Sequence, residues 1–171
     1  SLISTLPCFI KYNAESKMNL PQPQVVKEGD SLLGLRISKG STFEGGIILG
    51  ADYEYLFHPN FGMGAFLRHS SYSIDFSNIG KWSYTVWALG AHGSIHADVF
   101  KVQNLDTYLN LGLGRAFLSS KWESASSSVE PLGAEASSFF LFFNANARYF
   151  FHPQWAAHAS LGYGLGIFGI G

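Results

Sequence analysis

Residues 45–64 read GGIILGADYEYLFHPNFGMG and combine an alternating pattern with a turn. Large apolar side chains occupy the odd positions from Ile47 to Phe57, whereas the even positions include Asp52 and Glu54. Successive side chains of a β-strand point to opposite faces, so this alternation predicts a strand with one apolar and one polar face. Pro59 lacks a ladder donor and belongs in a turn, after which the alternation resumes. The stretch therefore predicts a β-hairpin of two long strands.

The same period of two recurs along the chain and predicts an all-β protein. The alternation indicates eight strands, near residues 31–38, 46–58, 61–75, 82–98, 107–119, 138–152, 155–163 and 165–171. The connections at 59–60 and 153–154 are short, whereas those at 39–45, 76–81 and 120–137 are longer and polar. Short turns on one side and long loops on the other are typical of transmembrane barrels. We expect an eight-stranded antiparallel up-and-down transmembrane β-barrel over 31–171, preceded by an N-terminal extension at 1–30.

The composition also favours a membrane barrel. Only 13% of the 171 residues are charged, against roughly 25% in an average soluble domain, and 16% are aromatic. So few charges leave too little polar surface for a water-soluble ligand barrel, which is the competing architecture. The apolar stretch 149–171 contains Pro153 and five glycines, which argues against a spanning helix. The net charge of −1, without any basic run, predicts no nucleic-acid partner.

A heptapeptide repeat locates one rim of the barrel. Residues 55–61, YLFHPNF, recur 94 positions later as YFFHPQW at 149–155, and each copy joins two strands through a turn. Aromatic residues of transmembrane barrels gather at the membrane interfaces. We therefore expect an aromatic girdle formed by Tyr53, Tyr55, Phe57, Tyr149, Phe151 and Trp155. His58 and His152 occupy equivalent turn positions and are interpreted as turn residues rather than ligands.

The polar face of the strands is predicted to line the barrel interior, because lipid is the apolar phase. Charges enclosed in a narrow lumen need partners, and the many glycines of the same face leave room for long side chains. The expected lumen network consists of Arg36, Asp52, Glu54, Arg68, Arg148, Asn144 and Asn146, with Asn110, His158 and His92 on the same face. We interpret it as a plug of ion pairs, with a narrow conducting pore as the alternative.

Residues 45–64, residues 148–155 (RYFFHPQW) and residues 161–164 (LGYG) resemble the small outer-membrane β-barrel family that includes the OmpA and OmpX barrel domains. The resemblance extends over about residues 31–171 and implies the fold and a bacterial outer-membrane location. Such barrels usually finish on an aromatic residue, whereas the last residue here is Gly171. The eighth strand is therefore expected to be incomplete or to continue beyond this position.

Two motifs suggest chemistry. His69 and Ser71 lie two apart on one face of the third strand, as a base and a nucleophile acting on a lipid ester would. The pair looks like the His-x-Ser feature of lipid A deacylases, although Tyr72 follows here where that family has Asn. Gly164, Gly166 and Gly169 have the spacing of a dinucleotide-binding loop but lack the helix that this site requires.

The sequence predicts no cofactor. Cys8 is the only cysteine, which excludes an intrachain disulfide and a cysteine-based zinc site. His92 and His96 would be about 13 Å apart on a strand, too far for one metal ion.

The function predicted from these observations is structural. We expect an integral outer-membrane barrel of a Gram-negative-type bacterium with an interaction role, of which an accessory subunit of an outer-membrane complex is one form. Its expected partners are the membrane lipid, including lipopolysaccharide, and other outer-membrane or periplasmic proteins. A lipid A ester hydrolase that uses His69 and Ser71 and a narrow pore are the alternative functions.

Overall fold

A computed structural model describes residues 25–39, 46–76, 80–124, 133–164 and 167–171. Its eight strands are β1 (Ser31–Lys39), β2 (Ile48–His58), β3 (Phe61–Phe76), β4 (Gly80–His96), β5 (Leu105–Ser124), β6 (Gly133–His152), β7 (Trp155–Tyr163) and β8 (Phe168–Ile170). Each strand pairs antiparallel with the next along the chain, and β8 pairs with β1 to close the barrel. The predicted eight-stranded up-and-down barrel is confirmed.

The two ends of the barrel differ in their connections. We call the end that carries the connections 59–60, 97–104 and 153–154 the turn end, and the opposite end the loop end. Residues 1–24, which make up most of the predicted extension, lie outside the described part of the chain. Within the described part, no helix has the length and hydropathy needed to cross a bilayer.

Most of the predicted long loop at 120–137 is strand, which corrects that prediction. The β5–β6 ladder continues through Ser120↔Ala134 to Lys121↔Gly133, and only residues 125–132 lie outside the described strands. The predicted connection 76–81 is likewise shorter, because Phe76 pairs with Gly80. The polar composition of 120–137 predicts a loop. A strand that extends beyond the apolar zone, however, has both faces in water and can be polar throughout. The eighth strand is shorter than the predicted 165–171, and residues 165–166 lie outside the description.

The outer surface of the barrel is apolar over a continuous zone. Leu33 and Leu35 of β1 are 80% and 76% exposed, and Phe139 and Leu141 of β6 are 74% and 69% exposed. On β4 and β5 this zone ends abruptly toward the loop end: Trp87 is followed outward by Thr85 on β4, and Phe117 by Ser119 on β5. Charged side chains then take over, among them Lys121, Glu123 and Glu135. Exposed apolar rows of this extent need an apolar surrounding phase.

The interior is filled by pairing glycines with large side chains. A Cβ atom added to Gly50 would lie 2.6 Å from the Arg68 side chain, and one added to Gly112 would lie 2.5 Å from the ring of Phe142. These close approaches explain why glycine occurs on the inner face, where a side chain would displace its cross-strand neighbour.

Candidate functional site in the barrel interior

The largest polar cluster of the interior lies near the turn end and is built from strands across the barrel. His96 at the end of β4 has Nδ1 2.9 Å from Asp106 Oδ1 and Nε2 3.1 Å from Glu54 Oε1. Arg148 of β6 donates to Glu54 Oε2 at 2.9 Å and to the Tyr108 hydroxyl at 2.7 Å. We call Glu54, His96, Asp106, Tyr108 and Arg148 the turn-end cluster. It joins β2, β4, β5 and β6, so it ties non-adjacent strands together through the lumen.

Charge is matched within the turn-end cluster. Both ring nitrogens of His96 face carboxylate oxygens, and this geometry is fully hydrogen-bonded when each nitrogen carries a proton. Arg148 also lies 3.4 Å from Asp106 Oδ2. The ring of Tyr108 stacks on His96 at 4.7 Å between centroids and on His158 at 6.0 Å. The arrangement is that of a satisfied structural network, in which every charged group has a partner of opposite sign.

A second polar cluster lies nearer the loop end. Asp52 Oδ1 accepts a hydrogen bond from Arg68 Nη2 at 2.5 Å, and Asp52 Oδ2 lies 3.4 Å from Arg36 Nε. Arg36 donates to the Ser160 hydroxyl at 3.2 Å, which connects β1 to β7, and Arg68 donates to the Ala51 and Leu67 carbonyls at 3.0 Å each. We call Arg36, Asp52 and Arg68 the loop-end cluster.

Aromatic rings block the lumen alongside these clusters. Phe66 of β3 contacts Phe142 of β6 in an edge-to-face geometry with centroids 5.0 Å apart, and Phe140 at 6.1 Å. His92 lies edge-on to Phe142 at 6.3 Å. Strands β3 and β6 are not neighbours in the barrel, so these contacts cross the lumen.

The turn end is closed by residues that precede β1. Gly29 donates to the Leu56 carbonyl at 2.7 Å, and Leu56 donates to the Asp30 carbonyl at 3.0 Å. Val26 and Leu56 are 2% and 0% exposed. Residues 25–30 of the predicted extension therefore pack against the barrel.

The structure places the other predicted lumen residues on the inner face. Asn146 donates to the Tyr108 and Asn144 carbonyls at 3.4 and 3.2 Å, and its Oδ1 lies 3.2 Å from His158 Nε2. Asn110 is buried and pairs in register with Asn144.

The girdle residues lie outside, toward the turn end. Tyr53, Tyr55 and Phe57 follow β2 to its turn, and the remaining three surround the turn at 153–154; all six are exposed: Tyr53, Tyr55, Phe57, Tyr149, Phe151 and Trp155. The repeat also has a local explanation. His58 Nδ1 accepts the Asn60 backbone N–H at 3.1 Å, and His152 Nδ1 accepts that of Gln154 at 3.2 Å.

His69 and Ser71 lie on the outer face of β3. The His69 ring packs against Trp87 with centroids 4.3 Å apart. Among the described residues, His69 Nδ1 is buried without a hydrogen-bond partner, and no carboxylate forms an ion pair with this histidine. A catalytic histidine is normally oriented through that nitrogen. The geometry therefore gives the pair no oriented base.

The remaining motifs do not assemble a ligand site. Gly166 of the glycine motif lies outside the described residues, and Gly169 pairs with Ser38 and Ser160 in the barrel wall. Across the described residues, no group of three or more His, Cys, Asp or Glu side chains is arranged to hold a metal ion.

Sequence reasoning missed Asp106, Tyr108 and the central role of His96. Asp106 was assigned to a connection because the predicted fifth strand began at 107, whereas β5 begins at Leu105. The alternation could have identified them. Asp106 and Tyr108 are at even positions, on the same face of β5 as Asn110, and His96 is on the same face of β4 as His92. It also missed Arg115, which lies on the outer face of β5 within the apolar zone.

An eight-stranded up-and-down barrel with an apolar exterior and an ion-paired interior has the architecture of small transmembrane β-barrels. A solved structure of Ail, the attachment invasion locus protein of Yersinia pestis, matches with a TM-score of 0.53 at 16% identity, covering 84% of this chain and 92% of that one. Ail in complex with the heparin analogue sucrose octasulfate matches with a TM-score of 0.54 at 18% identity and the same coverage. At this identity the similarity concerns the fold. No protein-family model matches the chain, and no curated protein sequence matches it.

Proposed function

We propose that this chain is an integral barrel of the bacterial outer membrane with a structural or interaction role and a closed lumen. The observation that carries the proposal is the inversion of polarity, with apolar rows outside and paired charges inside. A water-soluble barrel would need the opposite arrangement. The two-residue connections 59–60 and 153–154 support the orientation with the turn end in the periplasm, because transmembrane barrels have short turns on that side.

The interior supports an interaction role over conduction. The turn-end cluster and the phenyl rings each connect strands across the lumen, and the loop-end cluster lies inside the barrel on β1, β2 and β3. Water and ions would have to displace paired charges and packed rings to pass. We therefore expect partners to contact the outer surface or the loop end of the barrel.

Arg115 supports lipid as a partner, including lipopolysaccharide. Its guanidinium lies over Phe117 and Phe139 at 5.2 and 5.4 Å and donates to the Ser137 hydroxyl at 2.9 Å. No carboxylate lies within 4.0 Å of it among the described residues. A long cation on an apolar face extends toward the interface, where an anionic lipid headgroup would supply the missing charge. An Arg115→Gln variant is expected to retain less anionic lipid during purification than a Lys121→Gln control, and equal retention would contradict this contact.

Location is tested on the native protein and on refolded chain. Fractionation of the source cells should recover the protein in outer membranes that resist carbonate extraction. The protein refolded in liposomes should migrate faster on a denaturing gel when the sample is not heated than when it is heated, because an unheated barrel stays folded. A protein that stays monodisperse without detergent would contradict the proposal.

The accessory-subunit role is tested by native purification. The protein is extracted from its own membranes in mild detergent, and the mass of the eluting particle is measured. A particle much heavier than one barrel with its micelle supports a subunit, and its companions identify the assembly. A lone barrel contradicts the subunit role while leaving the membrane location intact.

A further inference from the structure

The loop-end cluster contains more positive than negative charge. Arg36 and Arg68 share the single carboxylate of Asp52. Glu54 and Asp106 are occupied by Arg148 and His96 in the turn-end cluster, and the remaining buried carboxylate of the described residues, Asp98, lies in the connection 97–104 at the turn end. Among the described residues, one positive charge therefore lacks a counter-charge in the loop-end half of the lumen.

A small cavity lies beside this excess charge. It has a volume of about 20 Å³. Its lining consists of the polar residues Arg36, Ser38, Arg68 and Asn144 and the apolar residues Ile48, Phe66 and Phe142. A water molecule needs about 10–15 Å³ of such space. The cavity therefore has room for a water molecule or for one small monatomic ion.

Arg36 provides an independent sign of a missing partner. The residue is 7% exposed, and its Nε is buried without a hydrogen bond, because the 3.4 Å contact with Asp52 does not have hydrogen-bond geometry. Buried donors of charged groups are almost always bonded, and an unpaired charge between apolar walls is costly. An anion in the cavity would neutralise the excess charge beside both guanidinium groups.

We propose that the cavity between Arg36, Arg68 and Asn144 binds one monatomic anion, such as chloride. Two guanidinium groups and the Asn144 amide offer N–H donors, and the apolar walls strengthen their attraction for an anion. The site exists only in the folded barrel. A bound anion therefore stabilises the folded barrel, because the unfolded chain does not bind the anion.

The first test measures unfolding of the full chain, refolded in a neutral maltoside detergent, as a function of chloride. Methanesulfonate replaces chloride at constant ionic strength, so that screening does not change. We expect the urea midpoint to rise with chloride and with bromide until it saturates. A midpoint independent of anion identity would mean that the cavity holds water only, and would overturn the proposal.

Two matched substitutions locate the effect. Asn144→Asp places a fixed carboxylate in the cavity, and we expect it to raise the midpoint without chloride and to abolish the chloride response. Asn110→Asp makes the same change at the residue that pairs in register with Asn144 but does not line the cavity. This control should keep the full chloride response, and loss of the response in both variants would contradict the assignment.

Bromide diffraction tests the site without any substitution. Crystals of the unmodified protein grown in sodium bromide should show an anomalous peak within hydrogen-bond distance of both guanidinium groups. This measurement also decides the matter if the Asn144→Asp chain does not refold. A chloride-dependent midpoint with bromide bound only elsewhere would overturn the proposed site.

Discussion

At the scale of single residues, the interior depends on guanidinium groups that each satisfy several acceptors. Arg148 contacts Glu54, Asp106 and the Tyr108 hydroxyl, and its guanidinium also lies 4.6 Å from the centre of the Tyr108 ring. Removing one partner of a buried ion pair costs more than the pair contributes, because the remaining charges stay buried without compensation.

Replacing Arg148 with Met is therefore expected to destabilise the barrel by about 3 kcal/mol or more, since Glu54 and Asp106 are left with His96 alone. The measurement is the urea midpoint of the refolded chain in lipid vesicles, followed by tryptophan fluorescence. Arg115→Met is the matched control on the outer face, where the change should stay within about 1 kcal/mol. Equal effects of the two variants would mean that the turn-end cluster does not stabilise the fold.

The sequence predicted that Arg36, Asp52, Glu54, Arg68 and Arg148 face inward, because the face depends only on a residue's parity within its strand. It did not predict the pairs, since Glu54 and Arg148 lie on β2 and β6 and meet only after the barrel closes. Asp106 shows that the sequence also does not reveal where a strand begins. Its parity was informative, but the start of its strand was set by pairing with Arg148, which the sequence alone does not reveal.

The His69–Ser71 hypothesis makes a prediction at the same scale. Because His69 Nδ1 has no orienting partner in the described part of the chain, we expect no release of fatty acid from lipopolysaccharide by the unmodified protein. Ser71→Ala should give the same background in a free fatty acid assay, with the barrel still folded. Release by the parent chain that disappears in Ser71→Ala would establish the hydrolase.

At the scale of elements, the two copies of the repeated turn have the same backbone but different roles. Both show a register shift just before the turn histidine, between Leu56 and His58 and between Phe150 and His152. Asn60 additionally donates its amide to the His96 carbonyl at 2.9 Å and accepts the His96 N–H, whereas Gln154 is exposed. The first turn is thereby fixed to β4, next to the turn-end cluster.

This difference predicts unequal effects of one substitution in the two turns. Asn60→Ala should destabilise the barrel by about 1–3 kcal/mol, because a buried carbonyl loses its donor. Gln154→Ala, at the equivalent exposed position, should change stability by less than about 0.5 kcal/mol. Urea unfolding of both variants checks the prediction, and a Gln154 effect as large as that of Asn60 would contradict it.

The strands also show what the alternation of apolar and polar residues can and cannot predict. Alternation located all eight strands, because one face of each lies against an apolar phase. It failed beyond the apolar zone, where Ser120 and Lys121 of β5 continue the ladder with water available to the strand. There the sequence resembles a loop, and only cross-strand pairing shows that it is a strand.

At the scale of the whole molecule, the closed interior predicts that the barrel does not conduct. Among the described residues, contacts cross the lumen at two places: Arg148 with Glu54, and Phe66 with Phe142. We expect planar-bilayer recordings of the refolded protein to show no current steps above baseline. A porin of known conductance, recorded in the same bilayers, serves as the positive control. Steps in the unmodified protein whose ion selectivity changes in Arg36→Gln would show instead that the interior charges line a pore.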